Sequence, residues 1–132
     1  MDLKAARKGN ENIATPKAMV QLLNKIYNEP VLNKELKEDY IRLFSTTKDS
    51  DIPRYLPPGV QVANKPGSLD AIRTDSGIVF VKNRPFAISV MTAYDRDERA
   101  AELAISEVAL AAFQYFDMIG RTSEYGRIIP PE

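Results

Sequence analysis

The sequence predicts an α+β fold, in which two helices precede a three-stranded antiparallel sheet and one long helix follows it. Three observations lead to this fold class. Two N-terminal segments carry apolar residues at helical spacing, three central segments are short and rich in β-branched or aromatic residues, and a long apolar segment near the C-terminus again has helical spacing. We treat 1–132 as a single, partial domain. Its predicted parts are a leading segment at 1–14, two helices within 15–45, a sheet within 60–93, a helix at 95–119 and a tail at 121–132.

The first two helices have clear start and stop signals. Thr15 can cap the first helix, Pro16 suits its first turn, and Pro30 lies beyond its end. The apolar face of this helix consists of Met19, Leu22, Leu23 and Ile26. Asn33 can cap a second helix, which runs from Lys34 to about Phe44.

The three predicted strands are about Val60–Lys65, Gly77–Lys82 and Phe86–Ala93. The short connection 83–85, which contains a proline, predicts an antiparallel hairpin of the last two strands. The last strand is apolar on both faces, as is typical of a strand that is covered on both sides. A sheet in chain order leaves this strand with one unpaired edge, and long apolar edges are normally covered. We therefore expect that a partner docks onto the Phe86–Ala93 edge or is missing from it.

The final helix is predicted to begin after Asp95 or Asp97 and to run to about Ile119, with Gly120 just beyond its end. Its predicted apolar stripe consists of Ala100, Leu103, Ala104, Val108, Ala111, Ala112 and Tyr115. The small residues of this stripe would let the helix approach the sheet closely. We expect the stripe to be core and not a membrane-facing or cofactor-binding surface.

Composition excludes several classes of function. The chain has 18 basic and 18 acidic residues, and no basic stripe with interleaved aromatic residues, which argues against nucleic-acid binding. It has no Cys and no His, which excludes cysteine nucleophiles, disulfides and thiolate or imidazole zinc sites. Acid–base chemistry would therefore fall to Lys, Asp, Glu or Tyr. No cofactor, metal, signal peptide or membrane span is predicted, and the localisation stays open.

The stretch Lys65-Pro66-Gly67-Ser68 is the main candidate for a binding site. It lies at the end of the first predicted strand, and Arg73 follows it on the way into the second strand. A lysine beside glycine and serine at a strand end places a fixed cation next to backbone N–H groups. Such an arrangement can hold an anionic or carbonyl-bearing ligand.

Several motifs together resemble the C-terminal part of the class A β-lactamase-like serine hydrolases, the β-lactamase and penicillin-binding-protein-like fold. They are Ala14-Thr15-Pro16-Lys17-Ala18-Met19, Ile52-Pro53-Arg54-Tyr55-Leu56-Pro57, Lys65-Pro66-Gly67-Ser68-Leu69, Arg73-Thr74-Asp75-Ser76-Gly77-Ile78-Val79 and Ala87-Ile88-Ser89-Val90-Met91-Thr92. They come in the family's order and spacing, and the resemblance runs from about Asn12 to Phe116. In that family the sheet has five strands, two of which come from the N-terminal part of the protein. One of these two pairs with the last strand, so the resemblance also implies an open edge here.

The resemblance implies that the nucleophile is missing from this chain. The family's nucleophile lies upstream, in a Ser-x-x-Lys motif on a helix, and neither that motif in such a helical context nor the family's Ser-Asp-Asn loop is found here. Residues 1–12 look like the end of the family's Ω loop but lack its Glu-x-x-x-Asn. Asp2 and Glu11 are the nearby carboxylates, and neither is assigned as a base. We therefore predict no catalytic residue in this chain.

Four residues are implied to bind substrate. Lys65 would raise the local positive potential and orient a substrate carboxylate, and Gly67 would let the substrate approach the strand. The backbone N–H of Ser68 would form half of an oxyanion hole, and Arg73 would help to bind a substrate carboxylate. Pro66 stands where the family has Thr or Ser, so a hydroxyl that usually contacts this carboxylate is missing. We expect the loss to cost roughly 1.5–3 kcal/mol of ligand binding.

Structural roles compete with these functional ones. Lys65 could be a solvated lysine at a strand end, and Arg73 could pair with Asp75 to fix the loop between the first two strands. Ser68 is not expected to be a nucleophile, because it has no evident base except Lys65. The charged run 94–98 is expected to cap the final helix and not to bind a metal.

Two functions stay open at this level. In the first, the chain is the C-terminal fragment of a β-lactamase-like serine acyl hydrolase that acts on a β-lactam or a related amide or ester. It would be inactive alone, and its partner would be the N-terminal half of the same hydrolase. In the second, it is a non-catalytic interaction protein that associates with itself through the Phe86–Ala93 edge, for example as a homodimer.

Overall fold

The computed structural model describes residues 4, 8–9, 13–46, 49–123 and 125–126. Its helices and strands are α1 (Pro16–Asn28), α2 (Lys34–Phe44), a 3₁₀ turn (Ile52–Tyr55), β1 (Gln61–Leu69), β2 (Ile72–Phe80), β3 (Phe86–Ala93) and α3 (Glu98–Gly120). The strands of this described part form one antiparallel sheet in the order β1-β2-β3. The predicted fold class is confirmed. Most of the predicted leading segment, 1–14, lies outside the described residues.

The first two strands are longer than the sequence predicts. Residues 66–76, predicted as a connection between strands, instead continue both strands up to a two-residue turn at 70–71. The prediction is wrong here because Pro66 and Gly67 are poor strand formers in general. Proline is nevertheless accepted on an edge strand, which is the place of β1 in the sheet.

The helices α1 and α2 begin with the expected caps. The Thr15 hydroxyl accepts a hydrogen bond from the Ala18 N–H at 3.1 Å, and the Asn33 side chain accepts one from the Leu36 N–H at 2.8 Å. Both helices pack on the same face of the sheet, where Leu23 is buried. The 3₁₀ turn and α3 cover the opposite face.

The main core lies between the sheet and α3. Its buried residues are Ile52, Val62, Val79, Val81, Phe86, Ile88, Ile105 and Ala109. The ring of Phe86 stacks on the ring of Phe116, with centroids 4.4 Å apart, and so fixes α3 against the start of β3.

Helix α3 buries a different face from the one that the sequence predicts. Ala101, Ile105 and Ala109 are buried, whereas Val108 and Tyr115 of the predicted stripe are 49% and 56% exposed. Ala112 of the predicted stripe does pack against the core, and Leu103 is half-buried. The prediction is wrong for the other members because apolar residues occur all round this helix, so spacing alone does not select the buried face. We call the exposed members of the predicted stripe the outer flank of α3. They are Ala100, Ala104, Val108, Ala111 and Tyr115.

The ends of α3 also differ in detail from the prediction. Asp97, and not Asp95, is its N-cap, and the Asp97 carboxylate accepts a hydrogen bond from the first turn. Gly120 is the last helical residue and not the residue beyond the helix. A Cβ on Gly120 would lie 2.5 Å from the Lys82 carbonyl oxygen, so glycine allows close packing here.

By length and composition, α3 would also be sufficient to cross a membrane, and no other described helix is. One face of α3 packs on the sheet and the 3₁₀ turn, which is the position of a core helix. We therefore interpret α3 as a core helix of the sheet.

Candidate functional site

The candidate stretch 65–68 lies on β1, which forms one open edge of the sheet. On the neighbouring strand, the Arg73 N–H donates to the Thr92 hydroxyl of β3 at 3.1 Å, and the Arg73 carbonyl oxygen lies 3.1 Å from the same hydroxyl. Both main-chain groups of Arg73 therefore point away from β1. Ser68 lies directly opposite Arg73, so its own N–H and C=O point to the open edge.

Pro66 has the same orientation as Ser68. It lies two residues earlier on the strand, and an N–H at this position would also point outward and make no hydrogen bond to β2. Proline at this position therefore costs the sheet no hydrogen bond. It leaves this part of the edge with neither a backbone donor nor a side-chain hydroxyl.

Lys65 and Gly67 project from the face of the sheet opposite to Pro66. The Lys65 side chain is exposed, and its ammonium donates to the Pro66 carbonyl. A Cβ on Gly67 would lie 2.6 Å from the Thr74 hydroxyl, so any larger residue would require Thr74 to move. The structure thus places Lys65 at the open edge but on the other side of the sheet from Arg73.

Arg73 lies in an open depression of about 360 Å³ beside Gly67 and Ser68. Its guanidinium contacts the carboxylates of Glu98 and Glu102 and donates to two backbone carbonyls of the hairpin turn, at 2.8 and 2.9 Å. Arg73 is only 8% exposed. Its planar group therefore links the tip of the β1–β2 hairpin to the first turns of α3.

The predicted pair between Arg73 and Asp75 is wrong. Asp75 is fully buried and accepts hydrogen bonds from the Asn64 amide, at 2.9 Å to each oxygen, and from the N–H groups of Asp51 and Ile52, at 3.1 and 2.9 Å. Burial raises the pKa of Asp75, and the hydrogen bonds lower it in part. Sequence reasoning missed this cluster. The signal that could have revealed it is the position of the Asp75 carboxylate in a strand with mostly buried residues, because a buried carboxylate needs polar partners.

Asp51 connects the buried cluster to the depression. Its carboxylate pairs with Arg54 at 2.8 Å, and its carbonyl accepts a hydrogen bond from the Ser106 hydroxyl of α3 at 2.8 Å. Arg54 also contacts Glu102 at 3.4 Å. Burial raises the pKa of Asp51, while the neighbouring Arg54 lowers it in part. The 3₁₀ turn is thus tied to β2 on one side and to α3 on the other, which fixes one wall of the depression.

One pair of residues does have the Ser-x-x-Lys spacing, namely Ser45 and Lys48. Ser45 follows the end of α2, and its hydroxyl accepts a hydrogen bond from the Gln61 side chain at 3.1 Å. Gln61 lies four residues before Lys65, about 13 Å along β1. Ser45 is therefore far from the candidate stretch. Three residues of interest lie outside the described residues: Asp2, Glu11 and Lys48.

The charged run 94–98 makes structural contacts. Asp97 caps α3, Asp95 accepts a hydrogen bond from β3, and Glu98 contacts Arg73. Within the described ranges, no group of three or more potential metal ligands is found.

Solved structures share this architecture. The crystal structure of TLA-3 extended-spectrum β-lactamase matches with a TM-score of 0.77 and 30% identity, over 86% of this chain and 46% of that chain. A class A β-lactamase from Bacteroides cellulosilyticus matches in fold, with a TM-score of 0.74 and 22% identity, over 88% of this chain and 47% of that chain. The fold is therefore that of about half of a class A β-lactamase.

Sequence comparisons agree with the fold. The family model described as the β-lactamase enzyme family matches residues 1–116. β-Lactamase SME-1 of Serratia marcescens is 32% identical over 124 residues, which is 89% of this chain and 42% of that protein. The chain belongs to the β-lactamase enzyme family. The resemblance indicated by the motifs is confirmed, and the chain corresponds to a fragment of these relatives.

Proposed function

We propose that this chain supplies the substrate-binding wall of a β-lactamase-like serine acyl hydrolase and is inactive without the rest of that enzyme. One observation carries the proposal: the Ser68 N–H points to the open edge of β1, beside the exposed Lys65, in a chain of the β-lactamase family. An N–H held on a strand can donate to the oxyanion that forms when a carbonyl is attacked.

The other predicted residues support this edge in different ways. Lys65 contributes positive potential on one side of the edge, and Gly67 has no side chain to obstruct a ligand. Arg73 acts as a positioning residue, because its guanidinium is held by Glu98 and Glu102. A direct contact between Arg73 and a substrate carboxylate would require it to leave these partners.

The proposed reaction is acyl transfer to a serine, followed by hydrolysis. The serine oxygen bonds to the carbonyl carbon of an amide or ester, the leaving group departs with a proton, and water then releases the acid and restores the serine. The serine and its base would come from the part of the enzyme beyond this chain. The Ser68 N–H would provide one of the two oxyanion donors.

The proposed partner is the N-terminal half of the same hydrolase. The chain spans 42% of SME-1 and 46% of TLA-3 β-lactamase, so more than half of each relative has no counterpart here. The open edge of β3 and the apolar outer flank of α3 are surfaces that such a partner would cover.

The catalytic proposal is tested with the purified chain, a penicillin and intact-mass spectrometry. The chain alone is expected to show no mass increase and no nitrocefin turnover. An N-terminal fragment of a family member, ending where the match to this chain begins, is then added. The acyl adduct is expected on that fragment. An adduct on this chain would overturn the predicted inactivity, and fragments that bind each other without acylation would count against the catalytic role.

The alternative function is a non-catalytic interaction protein that pairs with a second copy through β3. The observation in its favour is the open, uncharged β3 edge. Sedimentation equilibrium separates the two proposals. If the chain forms a dimer that does not dissociate when the N-terminal fragment is added, the alternative is supported. If the chain is a monomer, or if its dimer gives way to a complex with the fragment, the role as a substrate-binding wall of a hydrolase is supported.

A further inference from the structure

A second depression lies between α1 and the turn that joins β2 to β3. Its lining comes from the last two turns of α1, from Ile78 of β2 and from 83–87. We call it the hairpin pocket. Its volume is about 260 Å³, which is below the roughly 300–1,000 Å³ of pockets for drug-sized molecules. A molecule that fills it must therefore be small.

Part of the lining is apolar. Leu23, Ile78 and Phe86 line the pocket and are buried. The half-buried Tyr27 lines it too, and its ring centroid lies 6.3 Å from that of Phe80. These side chains offer contact to a hydrocarbon or aromatic group of a ligand, and such a contact is favourable because it removes apolar surface from water.

The polar part of the lining is exposed and carries one kind of charge. It consists of Asn24, Asn28, Asn83 and Arg84. Among the described residues, no carboxylate lines the pocket and none forms an ion pair with Arg84. The Asn28 amide donates to the Asn24 oxygen at 2.7 Å, so the NH₂ group of Asn24 remains a donor. The charge and the donors suit an anion.

The turn and the end of α3 hold the base of Arg84 in place. Its backbone N–H donates to the Val81 carbonyl at 3.1 Å. A Cβ on Gly120 would lie 3.5 Å from the Arg84 Cγ, so the stem of the arginine lies against the last residue of α3. Less freedom is therefore lost when the guanidinium binds a ligand.

The C-terminal end of α1 would by itself oppose an anion, because it is the negative end of the helix dipole. Lys37 of α2 offsets this effect. Its ammonium donates to the Tyr27 carbonyl at 2.7 Å, within the last turn of α1. A second cation thus lies near the pocket, on the side of α1.

The hairpin pocket is separate from the candidate stretch. Ile78 lies five residues beyond Arg73 on β2, a distance of about 17 Å along the strand. Ser68 lies directly opposite Arg73. A ligand in the hairpin pocket would therefore not contact the β1 edge.

We infer that the hairpin pocket binds a small carboxylate with an apolar body, such as an aryl or branched alkyl acid. The carboxylate binds to the Arg84 guanidinium, whose planar fork matches its two oxygens, and a single guanidinium balances its single charge. The apolar body contacts Leu23, Ile78 and Phe86. This site is additional to the proposed hydrolase wall and does not depend on it.

Two probes of similar shape and different charge test this inference. Benzoate and the neutral benzamide are titrated into the isotope-labelled chain, and backbone amide shifts are followed by NMR. Benzoate is expected to shift the amides of Tyr27, Arg84 and Ala87, and benzamide is expected to bind there about two- to fivefold more weakly, the size of an exposed ion pair. The Arg84→Gln variant should remove this difference. The matched control Arg96→Gln, at an exposed arginine after β3, should retain it.

Several outcomes would overturn the inference. They are the absence of benzoate shifts at the hairpin pocket, benzoate shifts confined to Gly67 and Ser68, equal binding of the two probes to wild type, and unchanged benzoate binding in Arg84→Gln. Loss of the difference in Arg96→Gln would also do so, because it would indicate an effect of net charge alone. The acylation experiment decides the hydrolase proposal independently.

Discussion

The two open edges of the sheet differ in how they would receive another strand. On β1, Pro66 occupies an outward position next to the exposed Lys65, and proline and lysine both oppose strand addition. On β3, Thr92 lies opposite Arg73, whose main-chain groups face β3. In this antiparallel register, the main-chain groups of every second β3 residue point outward. These outward residues are Ala87, Ser89 and Met91, and none of them is proline or charged. We therefore propose that the β1 edge receives a small ligand and the β3 edge a polypeptide.

The largest effect is expected when the support of the β1 edge is removed. Asp75→Ala leaves the Asn64 amide and the N–H groups of Asp51 and Ile52 buried without their acceptor. We expect the free energy of unfolding to fall by about 3–5 kcal/mol, measured by urea denaturation. Hydrogen exchange should accelerate more on β1 than on β3.

The control for this variant is Asp39→Ala, at an exposed carboxylate that pairs with Arg42 on α2. It should change the free energy of unfolding by less than about 0.5 kcal/mol. Equal losses in the two variants would mean that the buried cluster does not support β1.

A smaller effect, on association, is expected from a proline on the β3 edge. Met91→Pro removes an outward N–H and should weaken binding of an N-terminal fragment, or self-association, about tenfold or more. The free energy of unfolding of the Met91→Pro variant should fall less than that of Val90→Pro. The Val90 N–H points toward β2, so proline at position 90 would remove a hydrogen-bond donor from the sheet. Sedimentation and urea denaturation measure the two quantities.

A second variant keeps this prediction testable if Met91→Pro does not fold. Ala87→Pro changes another outward position of the same edge. If either proline variant folds and still associates as strongly as wild type, the β3 edge is not the docking surface.

The smallest effect is a dependence of stability on pH. Burial raises the pKa of Asp75 in the folded chain, so between the unfolded and folded pKa values the folded state binds more protons. The free energy of unfolding contributed by Asp75 should therefore fall as pH rises from about 3.9 through the folded pKa, and then level off. Wild type should lose stability relative to Asp75→Asn over this window, in urea titrations at several pH values. A gain relative to the variant would mean that the hydrogen bonds outweigh burial.

Local patterns were sufficient to predict part of this molecule. The caps Thr15 and Asn33 follow from side chains that bond within one turn, and β3 follows from a continuous apolar run. The position of the candidate stretch on an edge strand follows from the chain order of the strands. The fold class and the family could also be predicted from local patterns, because both depend on motifs and their order along the chain.

The partners of the buried and half-buried charges could not be predicted in this way. Arg73 meets Glu98 and Glu102 because α3 docks beside the hairpin, and Asp75 meets Asn64 because two strands align in register. The buried face of α3 was missed for a similar reason. It depends on which neighbour the helix meets and not on the spacing of its own apolar residues.

The hydrogen bond from Ser106 to the Asp51 carbonyl has a kinetic consequence. It joins groups that are 55 positions apart in the chain, and the Asp75 contacts of the same cluster span 11 to 24 positions. Contacts between distant positions require closure of long loops, which slows their formation. We therefore expect the 3₁₀ turn to lock late in folding, after the hairpins have formed and α3 has docked. Until then, the 3₁₀ turn that forms one wall of the depression beside Ser68 would be a loose loop. Ligand binding at this edge would therefore begin only when the last step of folding is complete.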